Sequence, residues 1–181
     1  TGAFGSVMVA RFLGLGYGAL AVARSAASLL ALAEKHPGLR PCVADIAQDS
    51  ATQAIARALP GPVRMVVHGP GVSVGGGVLA IQTSALVDAV NIKVGGMLRL
   101  VRAVDSQLLP DARLVAIGGH YGFEPTAYAS AAGVCNAALV NLVRQLSLAY
   151  GERGITAHLV APGPADTERL RRVAADRARL S

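Results

Sequence analysis

Residues 114–150 read LVAIGGHYGFEPTAYASAAGVCNAALVNLVRQLSLAY, and this stretch decides the fold. Its first four residues, 114–117, form a short apolar run of buried-strand character, and Gly118-Gly119 lets the backbone turn sharply after it. A loop through Pro125 follows, and the spacing then predicts a helix from about Thr126 to Tyr150. No charge falls between Pro125 and Val143. A helix apolar nearly all round must be covered on more than one face, here by its own sheet and by a partner subunit. Strand, glycine turn and buried helix together are a common active-site setting in α/β proteins.

The same alternation runs through the rest of the chain. Helical spacing covers 6–13, an apolar strand 19–23, and a helix 25–35 with Ser25 as N-cap. A strand at 41–44 ends at Asp45, and Asp49 or Ser50 caps a helix through Leu59. A strand at 63–67 runs into His68-Gly69-Pro70-Gly71 and a glycine-rich loop to Gly77. A long helix is expected over 84–109, then the strand and helix already described, a strand at 156–160, and a last amphipathic helix from Asp166 or Thr167. Strands alternating with helices predict a doubly wound parallel sheet with right-handed crossovers, a three-layer α/β/α domain spanning 1–181. The strand ends carrying Gly, Asp and Pro-Gly form one rim, where ligands bind in such sheets.

Composition agrees. A chain of 181 residues is long enough for one domain with a good core. It is 52% hydrophobic but only 4% aromatic, with mean hydropathy +0.47, which suits tightly packed parallel strands. Cys42 and Cys135 lie far apart without metal-ligand spacing, so free buried thiols in a reducing cytoplasm are expected, and no metal site. The net charge of +6 does not point to nucleic acid. Arg169, Arg171, Arg172, Arg177 and Arg179 alternate with Asp166, Glu168 and Asp176 as on a solvated helix face, and no interleaved aromatics offer base stacking. No signal-peptide pattern is visible; Ser130, Asn136 and Asn141 interrupt the uncharged run 125–143, and Gly and Pro clusters break the one at 65–87, so neither secretion nor a membrane span is expected.

Seven landmarks in order, TGA-FG, VARS, ADI, VVHGPG, VNIK, LVAIGG and VAPGPADTE, resemble the short-chain dehydrogenase/reductase family over essentially the whole chain. The resemblance implies a Rossmann-type fold, a nicotinamide cofactor, and a homodimer or homotetramer built on helices 84–109 and 126–150. It also implies a strand before Thr1, three residues between Ala3 and Phe4 at the tip of the glycine loop, and a strand after Ser181. The first of these strands lies mid-sheet in that topology, and its neighbours' backbone groups need it as partner.

On the same resemblance, Gly2 and Gly5 let the backbone approach a pyrophosphate at the N-terminus of the next helix. Arg24, followed by Ser25, stands where NAD-preferring members carry an acid, which favours NADP(H) over NAD(H). Asp45 matches the acid beside adenine, Gly69 borders the adenine ribose, and Pro162, Gly163 and Thr167 match the loop near the carboxamide. An ordinary strand–helix turn, a surface arginine and a helix cap are the plainer readings of the first three features.

The family's catalytic residues are a Tyr, a Lys four positions later that lowers its pKa, a Ser, and an Asn that holds a relay water. Asn91 matches the Asn. Ungapped alignment of NAALVNLVRQL with the family puts Asn136 at the lysine, Ala132 at the tyrosine and Gly119 at the serine. Tyr128, one helical turn before Ala132, is a second candidate, but a phenol with no nearby cation titrates near roughly 10. His120, with Tyr121 beside it, is the natural replacement proton donor, and the plainer reading is that both fill the loop and hydrogen-bond locally. Two functions are therefore expected to compete: an NADP-dependent oxidoreductase with altered chemistry acting on a small carbonyl or alcohol, and a nucleotide-binding or regulatory protein that has lost turnover.

Overall fold

Apolar periodicity and turn residues set the elements. The computed structural model describes every residue except Ser73, 168–169, 172–174 and 176–181. The chain runs α1 (Ala3–Gly14), β1 (Ala19–Ala23), α2 (Ala26–Lys35), β2 (Leu39–Val43), α3 (Ser50–Ala58), β3 (Val63–His68), α4 (Thr83–Val90), a π-helical turn (Asn91–Gly95), α5 (Gly96–Val104), β4 (Leu108–Ile117), α6 (Ser130–Tyr150) and β5 (Thr156–Val160). The expected last helix falls largely outside the described residues, as do Glu168, Arg169, Arg172, Asp176, Arg177 and Arg179.

All pairings are parallel. β1 pairs with β2, and separately β3 pairs with β4 and β4 with β5. Helices flank both groups, giving the Rossmann-type α/β architecture that the alternation predicts. β1 and β3 have no sheet partner on their other sides among the described residues, and both line one large cleft.

The core lies between β4 and the helices on its two sides. Leu114 and Ala116 are fully buried, alternating along the strand. Leu139, Leu142, Val143 and Leu146 on α6 follow the spacing of one helix face and pack in the same cluster as Met97 and Val101 of α5. Each such side chain contributes roughly 1.5–3 kcal/mol by leaving water. Cys42 and Cys135 are buried free thiols, as expected.

Several local expectations need correction. Ser25 does cap α2, its Oγ accepting from Ser28 N at 3.2 Å. Asp49 makes no capping bond, because its carboxylate turns to Arg99 Nε at 2.7 Å. The helix over 84–109 is interrupted by the π turn and ends at Val104. Leu108 already pairs with Val63, and Leu109 to Ala112 bulge out opposite Arg64 alone before regular pairing resumes at Arg113. Asp111 takes a left-handed conformation, φ 65°, in that bulge, and its carboxylate meets Arg64 at 2.7 Å. The helix over 126–150 begins only at Ser130. Ala129 bridges to Gly76, and Ser130 N and Oγ both donate to Gly76 O, at 3.3 and 3.0 Å. Ala129 is thus held by the glycine-rich loop, and residues 126–129 stay outside the helix.

Candidate active site

A space of about 1370 Å³ runs between β1 and β3 along their whole length and opens as a cleft at the strand ends. Gly2, Gly5, Arg24, Ser25, Asp45, Gly69, Pro162 and Thr167 all line it, and Gly163 does not. A Cβ on Gly2 or on Gly5 would meet no other atom within 4 Å, so the space beside the start of α1 is open. Arg24 is exposed and pairs with no carboxylate among the described residues. Some polar groups of the rim are already engaged. Asp45 Oδ1 accepts from Ala47 N at 3.0 Å in a tight turn, and Thr167 Oγ1 accepts from Leu170 N at 3.2 Å. Pro162 O accepts from His120 N at 3.3 Å, which ties the loop after β5 to the glycine turn after β4.

The three catalytic candidates lie elsewhere. Asn91, His120 and Tyr128 are not among the residues lining the cleft. Asn91 Nδ2 donates to Ala47 O at 3.0 Å, and its Oδ1 accepts from Arg99 Nη1 at 2.9 Å. Tyr128 is not one turn up the helix from Ala132, since it precedes α6. Its hydroxyl lies 2.8 Å from that of Tyr121, with the rings edge to face at 5.9 Å, and the His120 ring leans on Tyr121 at 4.0 Å. These three rings form one cluster beside the glycine turn.

The sequence model of the short chain dehydrogenase family matches residues 1–178. The chain belongs to the short-chain dehydrogenase family. Among solved structures, a Serratia marcescens short-chain dehydrogenase/reductase mutant (F98L/F202L) is 25% identical, with TM-score 0.86 over 93% of this chain and 72% of that one. The blue fluorescent protein from a metagenomic library, solved in complex with NADPH, is also 25% identical, with TM-score 0.80 over 97% of this chain and 78% of its own. A short-chain oxidoreductase of Pseudomonas aeruginosa PAO1, described as NADPH-bound with an atypical catalytic center, shares the fold at 22% identity and TM-score 0.87, over 99% of this chain and 74% of that one. No curated protein matches the chain.

Within this dehydrogenase fold, Gly118, Ala132, Cys135, Asn136 and Lys93 also line the cleft. Asn136 is buried, and its Oδ1 has no hydrogen-bond partner among the described residues. Gly119, Gly122 and Asn136 fit together closely: a Cβ on Gly119 would come within 2.9 Å of Asn136 Nδ2, and one on Gly122 within 2.9 Å of Asn136 Cβ.

Lys93 was not among the expected site residues. It is only 7% exposed, and its Nζ donates to Ile117 O at 2.8 Å, at the end of β4. Of the chain's 17 basic residues only two, Lys35 and Lys93, are lysines. That scarcity, together with the place of Lys93 two residues after Asn91, was the available signal. Periodicity could not show its direction, because a π turn rotates the residues after it relative to a regular helix. His68 lies beneath it, 3% exposed, with Nε2 at 3.0 Å from Lys93 O. Burial, and then the Lys93 charge, push His68 down to about 4, so the ring is neutral and donates this bond. Gly96 makes room, since a Cβ there would stand 2.9 Å from His68 Cε1. Burial raises the Cys135 thiol, and the Lys93 charge opposes that rise.

Proposed function

We propose that the protein is an NADP-dependent oxidoreductase that interconverts a small carbonyl and its alcohol, through a site whose proton-handling groups depart from the family's usual set. The observation that carries this reading is the shared cleft, in which eight of the nine residues expected to bind cofactor meet. The open space beside Gly2 and Gly5 would admit a pyrophosphate at the N-terminus of α1. Arg24, exposed at the end of β1, is a partner for a 2′-phosphate. Asp45 and Gly69 would border adenosine, and Pro162, Gly163 and Thr167 the carboxamide. NADPH in the metagenomic blue fluorescent protein supports the same cofactor here. When bound, it supplies the hydride. Asn91, fixed by Ala47 O and Arg99, would hold the helix turn beside the site, with His120 and Tyr128 as candidate proton donors beside the glycine turn.

A second reading, nucleotide binding without turnover, is favoured by one observation: Ala132 and Asn136 line the cleft where the family motif has its Tyr and Lys. Titration of NADPH by fluorescence, followed by a screen of carbonyls, separates the two. Tight binding with oxidation in the presence of a carbonyl supports the first; tight binding without oxidation selects the second; no binding removes both.

We further infer one domain over 1–181, a cytoplasmic setting, consistent with the two free thiols, and a homodimer or homotetramer through α4, α5 and α6. Val87 on α4 and Val134 and Leu148 on α6 are exposed apolar side chains that such an interface would cover. No helix among the described residues is long and apolar enough to cross a membrane. Light scattering that finds only monomer would remove the assembly.

A further inference from the structure

Lys93 lines the cleft from the π turn, whereas the family motif places its lysine on the helix corresponding to α6. It does so beside the two positions where smaller residues stand. Ala132 and Asn136 fill less space than the Tyr and Lys of the motif, and both line the cleft together with Lys93. The surroundings keep the lysine in place: Ile117 O accepts from Nζ, and the neutral His68 ring donates to the Lys93 carbonyl. The chain otherwise uses arginine for almost every positive charge. An arginine cannot release a proton in a protein, and a lysine can.

We propose that Lys93 is the proton-holding residue of the cleft. This rests on the oxidoreductase reading above. In the direction of reduction, the carbonyl carbon takes a hydride from the cofactor and the carbonyl oxygen takes a proton from Lys93. The Nζ–H bond breaks, the O–H bond of the alcohol forms, and the amine recovers a proton from water. Alcohol oxidation runs the same transfers backwards. Asn136 lines the same cleft, with its Oδ1 buried and without a hydrogen-bond partner among the described residues.

The test uses the full chain with lysine labelled at Cε. Only two resonances, from Lys35 and Lys93, are then present. NADPH should shift the Lys93 signal and leave that of Lys35, on exposed α2, unchanged. Lys93→Met and Lys93→Arg should bind NADPH within about threefold of the parent yet reduce a carbonyl roughly 100-fold more slowly in single turnover, the size of one lost proton donor. Lys93→Met/Asn136→Lys, which moves the amine to α6, should recover at least about tenfold. An unmoved Lys93 signal, or full rate in folded Lys93→Arg, overturns the role of Lys93 while leaving the oxidoreductase reading intact. A parent protein that binds no NADPH, or binds it and turns over no carbonyl, overturns both together.

Discussion

Gly119 and Asn136 are complementary: a Cβ at position 119 would stand 2.9 Å from Asn136 Nδ2. The backbone at Gly119 is extended, φ −177° and ψ 154°, so conformation alone would accept any residue there. What excludes a side chain is the buried Asn136. Positions 119 and 136 are therefore sterically linked. Gly119→Ser should destabilise the protein by roughly 1–2 kcal/mol, at the low end for overpacking because a side-chain terminus can turn aside. Asn136→Ala should remove that penalty, and urea unfolding of the double-mutant cycle should show coupling of about 1 kcal/mol. Additive single effects would mean the two positions are independent.

Gly122 meets the same residue through its backbone. A Cβ there would lie 2.9 Å from Asn136 C and 3.0 Å from Ala137 N, atoms of α6 that cannot swing away. Gly122→Ala should lower stability by about 3 kcal/mol, clearly more than Gly119→Ser. Gly5→Ala should do the opposite, since nothing lies within 4 Å and Gly5 is inside α1, where alanine gains about 0.5–1 kcal/mol. If Gly5 is where the backbone approaches a pyrophosphate, this stabilised variant should bind NADPH several-fold more weakly. Thermal melts and NADPH titration on one sample read both effects.

The rim of the cleft was legible in the sequence because its residues sit at strand ends, and β1 and β5 begin and end where apolar runs meet turn residues. Their positions follow from chain order in a parallel sheet. The start of α6 was not legible, because Ala127 and Ala129 suit a helix and only the contact with Gly76 keeps that segment out. The end of α5 was missed because the apolar pattern continues through Leu108 and Leu109, which belong to β4. Asn91 and Tyr128 were placed by spacing, yet where their side chains point depends on Arg99, Ala47 and Tyr121, none of them adjacent in sequence. Lys93 was hidden for the same reason.

His68 gives a pH dependence of known sign. Its ring is buried and neutral, lowered from 6.5 to about 4 by burial and by Lys93. In the unfolded chain it takes up a proton near its ordinary value, so below that point the unfolded state binds more protons and stability falls as pH falls. The loss begins near pH 6.5, continues to about pH 4, and is on the order of 3 kcal/mol. His68→Asn should flatten the melting temperature across this window. Asp105 acts lower down: hydrogen bonds from Arg153 and Tyr150 hold its carboxyl below the usual range, so its stabilisation fades only as pH drops through that depressed value. An unchanged slope between pH 6.5 and 4 in His68→Asn would remove His68 as the cause.

Arg99 joins α5 to two segments of the site. Its side chain is 14% exposed. Nη1 donates to Asn91 Oδ1 at 2.9 Å and to Ile46 O at 3.1 Å, and Nε donates to Asp49 at 2.7 Å. The two shielded acceptors and the exposed one should matter differently. Asp49 is 94% exposed, so Asp49→Ala should change stability by less than about 1 kcal/mol, as surface ion pairs do. Arg99→Met should lose about 2–3 kcal/mol, because Asn91 Oδ1 and Ile46 O lose their donor away from full solvent. Arg99→Lys should recover little, since one ammonium cannot span the fork that reaches Asn91, Ile46 and Asp49 together. Ile46 follows Asp45 directly, and Asn91 opens the turn that carries Lys93. Loosening both should therefore weaken NADPH binding several-fold in Arg99→Met, while Asp49→Ala binds as the parent does. Equal effects of the two substitutions on melting and on NADPH affinity would show that Arg99 acts through its surface pair alone.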